Sequence, residues 1–434
     1  MLLTVFTPTH DPQHLGRLAE SLRRQTMQSF EWVIVPNGNV RADDIPPTIP
    51  QIRVVPYRGA TQNIGEIKRF CGLQSRGEIL VEVDHDDELT PDALQHIAAA
   101  FDADPAPDFV YSNCCEVQDG RPWTYSRDFG WEYRPFRWNG TDLQECVSFD
   151  PCPASFSRIW YAPNHVRAWR RAFYEAVGGH DPTLAVLDDQ DLICRTYLRG
   201  RIRKIDRCLY IYHVHPGNTC KGPVNAFIQE ETLRLHDRYI YGLVERWCEL
   251  NGLRKIDLCG GLNPAAGYES IDLHEAHITA DLNQRWPFDD EEVGLFRAHD
   301  ALEHLHSPLF TMEEAYRCLA PNGWFLTLTP STDGRGAFQD PTHVSYWNSN
   351  SFWYYTRAEQ ARFIGTPVKF QLVRIKNYFP TPWHETHLIP YVKADLLKYS
   401  GRVPGPIEFP HHAPPDGRSH SAGNGELESV VPLL

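Results

Sequence analysis

Apolar and polar positions fall into alternating blocks from the first residue. LLTVFTP is a β-rich apolar run, LGRLAESLRRQ places leucines at helical spacing, and FEWVIVPNG is a second run closed by a turn. QIRVVPYR predicts a third strand, NIGEIKRFCGLQSR a helix and GEILVEVD a fourth strand. Strands separated by helix-length patterns predict βαβ units, and so an α/β fold built on a parallel sheet. Residues 118–165 break this rhythm with Trp, Tyr, Phe, Arg and Pro, as in RPWTYSRDFGWEYRPFRW. Alternation resumes through VRAWRRAFYEAVGGHDP, DDQDLICRTYLRG and CLYIYHVH.

A helical stretch over 224–250 predicts a bridge to a second run of βα units, which opens with RKIDLCGG. That run continues through YESIDL, HITADL, VGLFRAHDALEHL, the helix MEEAYRCLA and the strand NGWFLTLTP. The predicted organisation is a first domain over 1–221, a helical linker over 222–252, a second domain over 253–400 and a tail over 401–434. The tail is rich in Pro, Gly, Ser and His and reads as disordered. A length of 434 residues also favours two domains, since single cores stop growing well below that size.

Composition narrows the class. The chain is 42% hydrophobic and 23% charged, with no apolar run long enough for a membrane span. MLLTVFTPTH lacks a basic leader and reads as a strand, so the expected compartment is cytoplasmic. Eleven cysteines without paired zinc-type spacing fit reduced, buried thiols. A net charge of −14 argues mildly against wrapping nucleic acid or an anionic membrane.

LVEVDHDDELTPDAL puts Asp84, Asp86 and Asp87 at the end of the fourth strand. Ligands of parallel α/β sheets bind beyond the carboxyl ends of strands, and carboxylates suit Mg²⁺ or Mn²⁺. A solvated turn with Asp87 capping the next helix is the alternative.

FTPTHDPQHLGRLAESLRRQ, VPNG, QNIGEIKRFCGLQSRGEILVEVDHDDELTPDAL and VGGHDPTLAVLDDQDLICRTYLRG follow one another in this order. Together they resemble the family 2 inverting glycosyltransferases of the GT-A fold, over residues 1–220. The resemblance implies a nucleotide-sugar donor, with Thr7, Pro8 and Thr9 lining a base pocket and Asn37 where the family has an Asp. It also implies Asn63 and Lys68 on the donor side, Asp84 and Asp86 as the metal and nucleotide motif, Asp87 as a further metal contact, and His215 as a metal or phosphate contact where a structural histidine is the equal alternative. Asp188 and Asp189 match the family's acidic pair, with Asp189 as the base that deprotonates the acceptor hydroxyl. A charge placed at a helix N-terminus is the plainer reading of that pair. Trp169, Gly178, Gly179 and His180 would face the acceptor. SRIWYAPNHVRAWRRAFYEAVGGHDP is also similar to glycosyltransferases encoded in bacteriophage genomes. That similarity would allow hydroxymethylated DNA or a virion protein as acceptor beside a glycan.

KIDLCGGLNPAAGYESIDL, ADLNQRWPF, RAHDALEHLHSP and RCLAPNGWFLTLTP resemble class I methyltransferases. This second resemblance implies an S-adenosylmethionine site made by Asp257, Gly260, Gly261, Asp272, Asp281 and His299. Cys259 departs from the family's first glycine. QDPTHVSYWNSNSFWYY either forms an acceptor wall, with His343 as a base, or packs on the sheet; a non-catalytic binding module remains a rival for this half.

Overall fold

The computed structural model describes residues 1–158, 162–218 and 223–402 and divides the chain into two compact units, 1–243 and 244–434. The proposed tail from 403 onward lies outside the described residues. No helix of the described residues is long and apolar enough to cross a membrane.

In the first unit, β1 (Leu3–Thr9), β2 (Phe30–Pro36), β3 (Ile52–Val54) and β4 (Ile79–Glu82) form the sheet order β3-β2-β1-β4, all parallel. Helices α1 (Leu15–Arg23) and α2 (Ile64–Gln74) supply two of the crossovers. Leu15, Leu18, Ala19 and Leu22 of α1 are buried, as the leucine spacing requires. Next come β5 (Glu88–Leu89), α3 (Ala93–Asp102) and the long β6 (Phe109–Gln118). The aromatic stretch that broke the sequence rhythm folds as β7 (Arg121–Pro122), β8 (Tyr133–Trp138) and β9 (Thr141–Cys146). Asn139 and Gly140, at φ 46° and 83°, make the two-residue turn between β8 and β9.

To the predicted parallel sheet the structure adds β10 (Arg167–Arg170), which lies antiparallel between β4 and β6. After helix α4 (Pro153–Arg158), strand β10 runs from a loop directly into α5 (Arg171–Ala176). Running antiparallel, it puts its first residue, Arg167, opposite Glu82, the last residue of β4. Helix α6 (Asp188–Arg199) and β11 (Ile202–His213), parallel to β6, complete the unit. Helix α7 (Pro223–Asn251) covers the predicted linker, and the division between the units falls within it.

The second unit carries β12 (Arg254–Leu258), β13 (Glu269–Asp272), β14 (Ile278–Thr279), β15 (Val293–His299) and β16 (Leu319–Pro330), all parallel. Helix α8 (Pro308–Cys318) joins the last two. The order is β14-β13-β12-β15-β16-β18-β17, where β17 (Gln371–Tyr378) and β18 (Tyr391–Leu397) are antiparallel additions. No sequence pattern had been assigned to those two strands. Ten cysteines among the described residues are free thiols, nearly all buried.

Close packing fixes the approach to the first unit's strand edge. A Cβ at Gly65 would stand 2.0 Å from the Asp181 carbonyl oxygen, so only glycine lets the segment before α6 lie on α2. Gly65→Ala is expected to cost about 1–3 kcal/mol by overpacking. Urea unfolding measures this, and an unchanged midpoint would remove the constraint.

Candidate functional site

Strand β4 is apolar except for Glu82, which is fully buried. A carboxylate there requires a partner, and α2 supplies Lys68 on its inward face. Lys68 Nζ lies 2.5 Å from Glu82 Oε1 and 3.9 Å from Asp188 Oδ2. His180 Nε2 stands 3.6 Å from Glu82 Oε2 and 3.7 Å from Asp188 Oδ2. Burial alone would lower the Lys68 pKa, but Glu82 and Asp188 outweigh it and hold the ammonium well above its ordinary value. Burial likewise opposes ionisation of Glu82, and Lys68, His180 and Arg167 outweigh it. The pair is therefore charged.

Asp188 and Asp189 open α6 but sit in different surroundings. Burial raises Asp188 above the usual carboxylate value. Asp189 is also enclosed, yet Arg167 and Lys68 hold it below that value. Arg167 Nη1 donates to Asp189 Oδ2 at 2.5 Å, and Gln190 N donates to Oδ1 at 2.8 Å. The Asp189 side chain keeps 18% of its surface open while Arg167 keeps none. The outcome is an oriented, ionised carboxylate with some access to solvent.

The aspartates after β4 also divide. Enclosure pushes Asp84 up to about 7, with Glu82 and Asp86 adding to the rise. Burial would raise Asp86 too, but His85 and a hydrogen bond with His215 hold it below the ordinary value. His215 Nε2 is 2.7 Å from Asp86 Oδ2. His14 stacks against both His85 and His215, with ring centroids 6.0 and 5.4 Å apart, and His10 meets His85 edge-on at 4.9 Å. His165 Nε2 approaches Asp84 Oδ2 to 4.0 Å.

Several predicted site residues stand elsewhere. Asp87 is buried and accepts from Tyr210 Oη at 2.7 Å and His213 N at 2.8 Å, so its oxygens are already used inside the fold. Thr7, Pro8 and Thr9 are buried in β1, and Thr7 Oγ1 is held between Val83 O and Trp32 Nε1. Trp169 is fully buried and donates to Thr196 Oγ1 at 3.1 Å, which makes it a core residue rather than an acceptor-facing one. His180 is equally enclosed. Gly178 and Gly179, at φ 92° and 64°, turn the chain around Tyr174, where a Cβ on Gly179 would stand 2.7 Å from the ring. Asn37 is half-buried, with its N–H donating to Thr9 O at 2.9 Å. Asn63, the N-cap of α2, reaches Pro182 O and Thr183 O at 3.4 Å each. The sequence reading missed Glu82, Arg167, His10, His14, His85 and His165. A charged residue inside an otherwise apolar strand was the available signal for Glu82.

In the second unit, Cys259 adopts φ 55° where glycine is usual, so the turn keeps its shape at some strain. Gly261 N donates to Asp272 Oδ2 at 3.1 Å, tying the turn after β12 to the end of β13. Asp257 is buried, bonded to Arg297 Nη1 at 2.8 Å and to Ala265 N at 2.8 Å, which makes it a brace for the loop rather than an open ligand. Burial and Arg297 push His299 down to about 3, so its ring is neutral. Arg297 Nη2 lies 2.7 Å from His299 Nδ1, which leaves Nε2 to carry the proton. Asp281 accepts from Asn283 N at 2.9 Å in an exposed turn. Tyr346, Trp347, Ser351, Tyr354 and Tyr355 line a cavity of about 260 Å³, so part of QDPTHVSYWNSNSFWYY does face open space.

Comparison with known proteins agrees with the two-part organisation. Residues 4–159 match the glycosyl transferase family 2 model, and residues 253–327 match a methyltransferase domain model. The uncharacterized protein y4gI of Sinorhizobium fredii is 24% identical over 241 residues, 50% of this chain and 23% of that protein. The chain thus covers less than a quarter of that relative's length. Among solved structures, S. aureus TarS 1-349 in complex with UDP-GlcNAc is 19% identical, with a TM-score of 0.43 over 58% of this chain and 72% of that one. Full TarS gives 18% identity and a TM-score of 0.40 over 58% of this chain and 43% of that one.

The buried pair makes a stability prediction. Glu82→Gln leaves Lys68 enclosed without its main counter-charge, which typically costs about 3–5 kcal/mol. Because Glu82 is depressed in the fold, its stabilisation is present above its ordinary value of 4.5 and is lost as pH falls through the folded value. Urea titrations should therefore show the gap between wild type and variant at pH 7 closing in acid; a gap that is absent or independent of pH would refute the pairing.

Proposed function

Since the chain carries a glycosyl transferase family 2 domain followed by a methyltransferase domain, we propose that its first unit moves a sugar from a nucleotide-sugar donor to an acceptor hydroxyl with inversion, and that its second methylates the product. The observation that carries the first half is the unequal Asp188/Asp189 pair beside the Asp84–Asp86 edge. Inversion needs one ionised carboxylate to take the hydroxyl proton during attack. Asp189 has that charge state, and Arg167 fixes its direction. Asp188, Lys68, Glu82 and His180 form the rigid support behind it.

Carboxyl groups crowded until Asp84 rises to about 7 suit a hard divalent ion such as Mn²⁺ or Mg²⁺. Asp86 and His215, already 2.7 Å apart, are the residues that would hold it, with Asp84 as a neighbouring charge, and Asp87 is not needed. Such an ion supplies charge neutralisation for the departing diphosphate. The acceptor is best taken as a glycan, because a net charge of −14 gives DNA phosphates no general attraction.

For the second half, the turn at Cys259–Gly261 and the half-buried Asp272 fit the ribose side of S-adenosylmethionine, which when bound supplies an electrophilic methyl group. The aromatic cavity at Tyr346–Tyr355 suits the flat faces of a sugar.

A screen of nucleotide sugars with Mn²⁺ tests the first half. Asp86→Ala should abolish metal-dependent donor binding, whereas Asp189→Asn should keep it while transfer falls by about 100-fold or more. Equal losses of binding and transfer in Asp189→Asn would overturn its role as base. For the second half, calorimetry should give S-adenosylmethionine binding that Asp272→Ala weakens about ten- to a hundredfold, the worth of hydrogen bonds to a charged group. No heat with folded wild-type protein would remove methylation from the reading.

A further inference from the structure

The second unit contains a cluster that neither proposed transfer uses. One ligand atom each of Glu303, His304 and His343 lies within 4.8 Å of the others. Two segments some forty residues apart are locked together to form it. Val344 N and Ser345 N both donate to the Glu303 carbonyl oxygen, at 2.8 and 3.0 Å, and Ser345 Oγ donates to Leu302 O at 2.8 Å.

The donors are prepared as metal ligands usually are. His304 Nδ1 faces Thr342 O at 3.2 Å, and His343 Nδ1 faces Ala337 O at 3.1 Å. A backbone carbonyl only accepts, and Thr342 Oγ1, also 3.2 Å from His304 Nδ1, gives its own proton to Asp340 Oδ1, so in the neutral form of each ring Nδ1 carries the proton and the Nε2 lone pair is left open. Ligating histidines are held by the same second contact. Glu303 is 2% exposed; its Oε2 accepts from Thr329 Oγ1 at 2.7 Å, while Oε1 is buried with no hydrogen-bond partner. An orphaned buried carboxylate oxygen is costly unless something positive meets it.

We propose that Glu303, His304 and His343 bind a divalent first-row transition-metal ion, with Glu303 Oε1 and the two Nε2 atoms as ligands. Two imidazoles and a carboxylate suit Zn²⁺, Fe²⁺ or Mn²⁺, and three protein ligands leave a position for an oxygen of a bound substrate. His343 is then a metal ligand rather than a base. The site stands apart from the methyl-transfer reading, because ion binding is read without cofactor or acceptor.

The test is Zn²⁺ calorimetry on the chelator-treated full chain, paired with Co²⁺ titration followed by visible absorption. The variants are Glu303→Gln and His304→Gln/His343→Gln, with circular dichroism as the check on folding. All proteins keep the first unit and the C-terminal histidines, so a difference between them reports this cluster alone. Loss of a supporting partner already costs 10–100-fold in metal affinity, so each variant should lose one Zn²⁺ equivalent or bind it at least ~100-fold more weakly, with the intense Co²⁺ bands gone. Equal stoichiometry and affinity in wild type and the folded Glu303→Gln chain would overturn the proposal.

Discussion

Glu82 and Lys68 meet at 2.5 Å with almost no solvent around either, and the first unit's chemistry is arranged about that contact. A lone charge at either position would be prohibitively expensive, so each obliges the other to stay. Helix α2 is thereby pinned to β4, Asp188 is drawn to the same ammonium, and the start of α6 is set. Asp189, the next residue, is then within reach of Arg167, whose guanidinium holds it. The carboxylates at this edge end up with unlike proton affinities, although the residues themselves are chemically alike. Environment, rather than residue type, sets them apart.

The second unit solves a similar problem with an ion pair of its own, between the buried Asp257 and Arg297. Its glycine turn is anchored through Asp257 and Arg297, and the same arginine sets the proton on His299. One guanidinium therefore serves both the shape of the loop and the polarity of the side chain facing it.

Periodicity made the βα succession legible in both halves, because a buried parallel strand is a near-continuous apolar run and an amphipathic helix repeats its leucines. It could not show the direction of β10: VRAWRRAF reads the same whether the strand runs with or against its neighbours. Asn139–Gly140 was a readable hairpin signal, overlooked because Pro and Arg around it mask the strand pattern. Strand β17 passed unseen amid half-exposed, charged positions, and the largely buried β18 because Lys393 and Asp395 interrupt its apolar run. Among site residues, the acidic clusters were visible since charges at strand ends are conspicuous. Trp169 was misplaced because an aromatic beside arginines looks the same in a core and in a cleft. Glu82 and Arg167 were missed because their partners lie far away in sequence.

The reversed course of β10 has a bearing on how this chain could diversify. A strand that runs against its neighbours delivers its entry loop, not its exit, to the edge where the aspartates gather. His165 arrives at Asp84 by that route. New residues could be tried around His165, next to Asp84, while the ladder holding Arg167 stays intact. Variable loop and fixed scaffold thus occupy adjoining but separable stretches of chain.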